Sequence, residues 1–198
     1  AVDEIAPTYL VVARLFLASI LLGPIFIRKK DLVLMSKEIP SILILGIINA
    51  ALPFFLFAYA AQDLSAGMLS ILNGTSPLFA LIIAITWFRQ NTTLMQIFGL
   101  GLGFIGLLVF IGIDQLTFIF YPVLLCLIGA FCYAYSNNIL FRLNHIKSAA
   151  LASVTMISGF FFSLPLIFLE PTYFSMDLSL KIIFAIFFLG LVSTGVSF

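Results

Sequence analysis

Two apolar stretches of the chain contain the same polar motif, an asparagine that stands four residues before a proline. The pairs are Asn49 with Pro53 and Asn73 with Pro77, and Ser76 precedes the second proline. Because proline lacks an N–H and its ring crowds the carbonyl four residues earlier, each motif frees the carbonyl oxygen of its asparagine. In hydrocarbon this oxygen needs a partner, so we expect the turns either to line a solvated interior as hinges or to be kinks satisfied by a neighbouring helix.

Two further features place polar chemistry inside apolar runs. Tyr133 and Asn137 are four residues apart and share one face of a helix, which predicts an aromatic wall with a hydrogen-bonding partner, or else an asparagine hydrated near the helix end. Arg14 is a charge well inside an apolar run. It either extends to the lipid headgroups or serves as a cavity cation, a counter-charge for an anionic solute.

The sequence carries no recognisable catalytic or metal-binding pattern. It has no Gly-x-Ser-x-Gly, no His-Glu-x-x-His and no paired acids inside an apolar run. Cys126 and Cys132 lie in one apolar run, which indicates buried thiols rather than a disulfide or zinc site. We therefore predict no enzyme, no catalytic residue, no metal and no cofactor. The net charge of +1 gives no indication of a nucleic-acid partner.

The elements that hold these residues are predicted to be membrane-spanning helices. The chain is 63% hydrophobic and 9% charged, whereas soluble domains carry about 25% charged residues. This composition predicts an all-α integral membrane protein, a polytopic helical bundle whose partner is the lipid bilayer. The predicted spans are residues 8–27, 40–61, 64–88, 94–113, 118–141 and 148–169, and a seventh that begins near 179.

Loop charges predict the orientation of these spans. Seven Lys and Arg residues lie in the loops 28–39, 89–93 and 142–147, whereas Lys181 is the cation of the alternate side. The positive-inside rule makes those three loops cytoplasmic, in the cell (inner) membrane. The chain would then begin outside and end within a span, so we expect it to be a fragment of a longer protein.

An internal similarity adds a second expectation. Residues 37–54 aligned on 181–198 match at a lysine, two isoleucines, a leucine, a glycine and a phenylalanine. The two stretches are five spans apart, and an odd separation forces the copies to face opposite ways in the bilayer. Inverted repeats of this kind recur in secondary transporters.

Four stretches resemble EamA-type members of the drug/metabolite transporter superfamily. They are Ala-Arg-Leu-Phe-Leu-Ala at 13–18, the run 58–67, Ser-Pro-Leu-Phe at 76–79, and Gln96-x-x-Gly99 with the glycines after it. Tyr133 also stands where many members carry tryptophan. In one departure, Gln90 occupies a position that is often glutamate in the family.

The resemblance implies an inverted five-plus-five helix repeat around a central cavity, with this chain covering helices two to eight. Residues 1–113 would be the last four helices of the first repeat, and 118–198 the first part of the second repeat. The implied function is a secondary transporter of small organic metabolites or drugs that works by alternating access, with a small-molecule substrate and with a homodimer left open. A non-catalytic membrane scaffold and an intramembrane lipid-modifying enzyme are the alternatives. The predicted pathway residues are Arg14, Asn49, Pro53, Asn73, Ser76, Pro77, Tyr133 and Asn137.

Overall fold

The described part of the chain is entirely helical between its turns, as the sequence predicts. The computed structural model describes residues 6–26, 29–87, 89, 91, 93–111 and 116–169. Four helical stretches within them are long and apolar enough to cross a membrane: Ile39–Ala60, Ala66–Thr86, Phe120–Arg142 and Ser148–Phe168. The prediction of a multi-pass helical membrane protein is confirmed. The predicted seventh span, the second copy of the repeat and Gln90 lie outside the described residues.

Nine α-helices follow each other along these residues. They are α1 (Pro7–Phe26), α2 (Lys29–Ser36), α3 (Ile39–Leu45), α4 (Leu52–Ala60), α5 (Ala66–Asn73), α6 (Ser76–Thr86), α7 (Leu94–Ile111), α8 (Leu116–Arg142) and α9 (Ser148–Ser163). A π-helical turn at Gly46–Ala51 joins α3 to α4, and a 3₁₀ segment at Leu164–Leu169 extends α9.

The π turn lies in the middle of the second span, directly before Pro53. The N–H of Leu52 donates to the carbonyl of Ile47, five residues earlier, which is the π-helical pattern. Pro53 then lies in the first turn of α4, where its missing N–H removes no essential hydrogen bond. The predicted disturbance at this proline is therefore a wide turn inside a continuous helix.

The third span is interrupted between α5 and α6. Gly74 and Thr75 form a turn between these helices, and Pro77 lies in the first turn of α6. Ser65 caps the start of α5, because its hydroxyl accepts a hydrogen bond from the N–H of Met68 at 3.3 Å. The break coincides with the second asparagine–proline motif.

One predicted loop contains a helix that sequence reasoning missed. Residues 28–39 were expected to be a loop, but Lys29–Ser36 form α2. Met35 of this helix is buried in a cluster with residues of α3, of the α8–α9 connection and of α9, which are Ile42, Leu45, Leu143, Ile146, Ala150 and Leu151. Burial of one apolar side chain thus holds this short basic segment against the bundle.

Two separate clusters of buried side chains mark the two ends of the described bundle, and the cluster around Met35 marks the first. We call the end formed by α2 and residues 142–148 the basic end. At the opposite end, the α4–α5 connection packs against the first half of α8 through Ala60, Leu64, Leu72, Val123 and Cys126. The Thr8 and Tyr59 hydroxyls, 3.4 Å apart, place the start of α1 at that opposite end as well.

The π turn packs closely against α9. A methyl group on Gly159 would lie 2.8 Å from the Cβ of Ala50 and 3.0 Å from the carbonyl oxygen of Gly46. Only glycine permits backbones to approach this closely, and small residues are the usual means of packing helices in membranes. Gly46 and Gly159 therefore fix the middle of the second span against α9.

Candidate functional site

The first asparagine–proline motif is connected to α8 by a hydrogen bond. The hydroxyl of Ser136 donates to Asn49 Oδ1 at 2.8 Å, and it also lies 2.8 Å from the carbonyl oxygen of Tyr133. Ser136 is fully buried and Asn49 is half-buried. The π turn and α8 are thereby joined at mid-span by a polar contact between residues that are distant in sequence.

Arg14 faces aromatic side chains of the bundle. Its guanidinium carbon lies 4.0 Å from the centroid of the Phe54 ring, a cation–π contact between α1 and α4. Arg14 and Tyr133 also lie close enough to interact electrostatically. The Tyr133 ring stacks on Phe57, with centroids 6.2 Å apart and an interplanar angle of 19°. Arg14, Asn49 and Tyr133 thus belong to one connected group across α1, the π turn, α4 and α8.

The second asparagine–proline motif is separate from this group. The hydroxyl of Ser76 donates to the freed carbonyl oxygen of Asn73 at 2.7 Å. The first residue of α6 thus supplies the hydrogen bond that the last carbonyl of α5 lacks, and no other helix is needed. Asn73 and Pro77 are exposed, whereas Pro53 is fully buried. The two motifs, equivalent in sequence, therefore occupy different surroundings.

The remaining candidate on α8 is also apart from the group. Asn137 is exposed although Tyr133, one turn earlier, is half-buried. Ser136, which sequence reasoning did not select, faces the π turn instead. A serine next to the Tyr133 and Asn137 pair was the available signal, but its partner is 87 residues away and could not be read from local spacing.

A cavity of about 480 Å³ lies beside the π turn, toward the end opposite to the basic end. We call it the aromatic cavity, because Phe55, Tyr59, Tyr121 and Phe162 contribute to its wall. Thr8 lines it as well, and Ile47 and Ala51 supply its contact with the π turn. This volume is in the range of pockets that hold small organic molecules.

A second cavity, of about 420 Å³, lies toward the basic end. We call it the polar cavity, because its wall includes Asn49, Asn144, Lys147, Ser148 and Thr155. Asn49 is its contact with the π turn. None of the described residues that line either cavity is acidic.

The π turn separates the two cavities. Ile47 and Ala51 line the aromatic cavity, and Asn49, on another face of the same turn, lines the polar cavity. The turn is at the middle of the helical stretch Ile39–Ala60, so each cavity occupies one half of the bundle. Among the residues that the structure describes, no group of three His, Cys, Asp or Glu side chains could hold a metal ion.

Comparison with known proteins decides the family. Residues 1–112, more than half of the chain, match the model of the EamA-like transporter family. The chain belongs to this family. The resemblance seen in the sequence is confirmed, and the protein is a membrane transporter of the EamA-like class.

Two curated relatives agree with this membership. The chain is 26% identical over 98% of its length to an uncharacterized transporter of Archaeoglobus fulgidus, of which it covers 68%. It is 24% identical over 82% of its length to an uncharacterized transporter of Bacillus subtilis, YdfC, of which it covers 53%. The chain therefore spans between about half and two thirds of the length of these EamA-like relatives. No solved structure matches the chain.

Proposed function

We propose that this EamA-like protein is a secondary transporter that moves a small organic metabolite or drug by alternating access. The observation that carries the proposal is the pair of cavities on the two sides of the π turn. A carrier needs a site that each side of the membrane can reach in turn. Two half-depth cavities that share one mid-span turn provide the approach from each side.

The π turn is the element proposed to switch access. π-helical turns occur frequently at functional sites, and their hydrogen bonds can rearrange within a continuous helix. Here the turn carries Asn49, contacts α8 through Ser136 and packs on α9 at Gly159. A small change in this turn would move the walls of both cavities together.

The lining of the cavities supports an organic solute rather than a metal cation. The walls combine apolar and aromatic side chains with a few amides and hydroxyls, which is the usual composition of small-molecule sites. The cations Arg14 and Lys147 lie at the mid-span group and at the polar cavity. A site for a free metal cation would instead present oxygen ligands with carboxylates.

The orientation and repeat organisation complete the proposal. We place the basic end in the cytoplasm of a cell whose inner membrane holds the protein, so the polar cavity opens inward and the aromatic cavity outward. Residues 1–113 and 118–198 belong to the two inverted repeats. Arg14, Asn49 and Tyr133 line the proposed pathway, and Pro53 supports the π turn. The residues Asn73, Ser76, Pro77 and Asn137 join the pathway where further helices of the full-length protein pack against them.

The alternatives are less well supported by the geometry. A scaffold would be expected to pack its polar residues without cavities, whereas here Asn49 faces open volume. A lipid-modifying enzyme would need acids or histidine converging at one depth, and His145 lies in the α8–α9 connection at the basic end.

Cysteine accessibility tests alternating access directly. In the full-length protein without its native cysteines, Leu56→Cys reports on the aromatic cavity and Ala152→Cys on the polar cavity. A metabolite screen in proteoliposomes first identifies a transported solute. We expect that solute to change the labelling rates of the two positions in opposite directions.

The matched control is Leu94→Cys on α7, which is 85% exposed and lines neither cavity. Its labelling should not respond to the solute. Labelling of both cavities that rises or falls together, or that ignores every transported solute, would contradict alternating access at this site.

A further inference from the structure

A groove of about 380 Å³ runs between α2–α3 and α9, apart from both cavities. We call it the interfacial groove. One wall is formed by Ser36, Ile39 and Leu43, and the other by Val154, Ile157 and Phe161. Apart from two serines, its described lining is apolar. The groove begins at the basic end, where α2 meets α3.

The groove is open along its length. Ile39 is 53%, Leu43 43% and Phe161 63% exposed, while Met35 and Ile42 are buried behind them. Val154 and Phe161 are seven residues apart on α9, which corresponds to about 10 Å at 1.5 Å per residue. An open apolar groove of this length along a membrane-spanning helix can accommodate part of an extended acyl chain.

A basic segment borders the mouth of the groove. Residues 28–39 contain Arg28, Lys29, Lys30 and Lys37, against the two acids Asp31 and Glu38. Lys37 follows Ser36 of the groove wall and is exposed. The Glu38 carboxylate accepts a hydrogen bond from the Ser41 hydroxyl at 3.3 Å, so this acid is engaged on its own helix. Residues 28–39 together therefore carry a net charge of +2, and the exposed Lys37 of this segment follows directly on the wall of the interfacial groove.

We propose that the interfacial groove binds one anionic glycerophospholipid. Its phosphate lies at the junction of α2 and α3, near Ser36 and Lys37, and one acyl chain lies between α3 and α9. Basic segments next to a membrane attract anionic headgroups, and the apolar walls match the chain below. A second copy that used the same face in a two-fold symmetric dimer is a poorer occupant, because it would bring its own basic segment against this one.

The role of such a lipid follows from what α2 contacts. Met35 anchors α2 to the cluster that contains Leu143 and Ile146, which border the polar cavity. A bound lipid would hold α2 and α3 in place beside α9 and so stabilise the basic end. This inference concerns a different site from the proposed solute pathway and does not depend on which solute is carried.

Tryptophan quenching by brominated lipids tests the proposal. These 198 residues hold a single tryptophan, Trp87, so Trp87→Phe gives a silent background once any tryptophan in the rest of the full-length protein is also replaced by phenylalanine. Phe161→Trp then places a reporter in the groove, and Phe98→Trp places a matched reporter on α7, since the native side chains are 63% and 66% exposed. The full-length protein is reconstituted with phosphatidylglycerol or phosphatidylcholine that carry the same brominated acyl chain.

We expect phosphatidylglycerol to quench the reporter at position 161 at a lower mole fraction than phosphatidylcholine, by about fivefold for each cation engaged. The reporter at position 98 should respond equally to both lipids. Combining Lys29→Gln, Lys30→Gln and Lys37→Gln should remove the preference at 161 without changing quenching at 98. Lys147→Gln, a cation of the same end that lies away from the groove, should leave the preference intact.

Three outcomes would overturn the proposal. Equal quenching at position 161 by the two lipids would show ordinary bilayer contact. Absence of quenching at 161 by either lipid would show that protein, from this chain or a second copy, covers the groove. A preference that survives the loss of all three lysines would show that the basic segment does not select the lipid.

Discussion

Asn49 and Asn73 show how the same local motif obtains different partners. Both precede a proline by four residues, yet Asn49 reaches Ser136 on α8 through its side chain, whereas the carbonyl of Asn73 is satisfied by Ser76 three residues later. The difference arises from what the surrounding helices provide. Asn49 lies in a wide turn packed among α8 and α9, and Asn73 is the exposed last residue of α5, directly before the turn to α6.

This difference predicts unequal effects of matched substitutions. Asn49→Leu removes an amide from the polar cavity and one of the two acceptors of the Ser136 hydroxyl. A lost buried hydrogen bond of about 1 to 2 kcal/mol corresponds to roughly a tenfold loss in transport rate if it acts in the transport cycle. Initial uptake or efflux rates in vesicles, normalised to protein content, measure the effect.

Asn73→Leu is the control, with the same substitution in the same motif. We expect it to reduce transport by less than Asn49→Leu, because the Ser76 hydroxyl still satisfies the backbone. Equal losses in the two variants would contradict the larger role that we assign to the first motif.

At the residue scale, sequence reasoning found part of the group and missed part. Arg14, Asn49 and Tyr133 stood out because polar groups are rare in apolar runs, and the structure connects them. Ser136, Phe54 and Phe57 were missed, because their contacts come from helices that are far apart in sequence. Such contacts depend on how each helix is rotated about its axis, and short polar motifs do not determine that rotation.

At the scale of elements, the contact between Gly159 and the π turn is a tight constraint on how the helices pack. Gly159→Ala would place a methyl group 2.8 Å from the Ala50 Cβ and 3.0 Å from the Gly46 carbonyl oxygen. Backbone atoms must then separate, and overpacking of this kind costs about 1–3 kcal/mol. We expect a lower thermal denaturation midpoint in detergent than for the unmodified protein.

Gly99→Ala on α7 provides the matched comparison. Apart from the backbone of its own helix and its chain neighbours, no described atom lies within 4 Å of the position that its methyl group would occupy, so the substitution meets open space. Alanine also has the higher helix propensity. The midpoint should therefore stay the same or rise, and a drop as large as that of Gly159→Ala would mean that the crossing at α9 is not a special constraint.

The helices themselves were largely predictable, since long apolar runs leave few alternatives. The predicted spans 8–27 and 94–113 correspond to α1 and α7, and 118–141 and 148–169 correspond to α8 and α9 with its extension. The helix α2 was missed because its stability comes from burying Met35 against other elements. At Gly46–Ala51 the sequence predicted a disturbed turn but not that the turn would be π-helical. A proline indicates that a helix is disturbed without specifying how the chain accommodates it.

At the scale of the whole molecule, the two ends of the bundle differ in charge and in the cavity that opens toward them. Lys147 and Asn144 border the polar cavity, whereas Thr8 and Tyr59 border the aromatic cavity. The cavities could not be predicted from sequence, since the wall of each combines residues from at least three helical segments, some of them far apart in the chain. The charge difference between the ends could be predicted from sequence. Successive spans place successive loops on opposite sides of the membrane, so the charges of every second loop add up at one end.

The charge difference predicts which loops a reagent can reach from outside the cell. In the full-length protein without native cysteines, Gln62→Cys in the α4–α5 connection should react with a membrane-impermeant maleimide in intact cells. Asn144→Cys in the α8–α9 connection should react only after the membrane is permeabilised. Both native side chains are exposed, so differences in burial do not explain the contrast. The reverse pattern would place the basic end outside.

The wide turn at Gly46–Ala51 also sets the angular phase of the second span. Each residue in an α-helix advances by about 100°, so one residue added or removed turns everything beyond it by that angle. Phe54 meets Arg14 and Phe57 meets Tyr133 only with the phase that the turn imposes. Relatives that differ by one residue here would present other side chains to α1 and α8, so a single insertion or deletion can diversify what the same scaffold accepts.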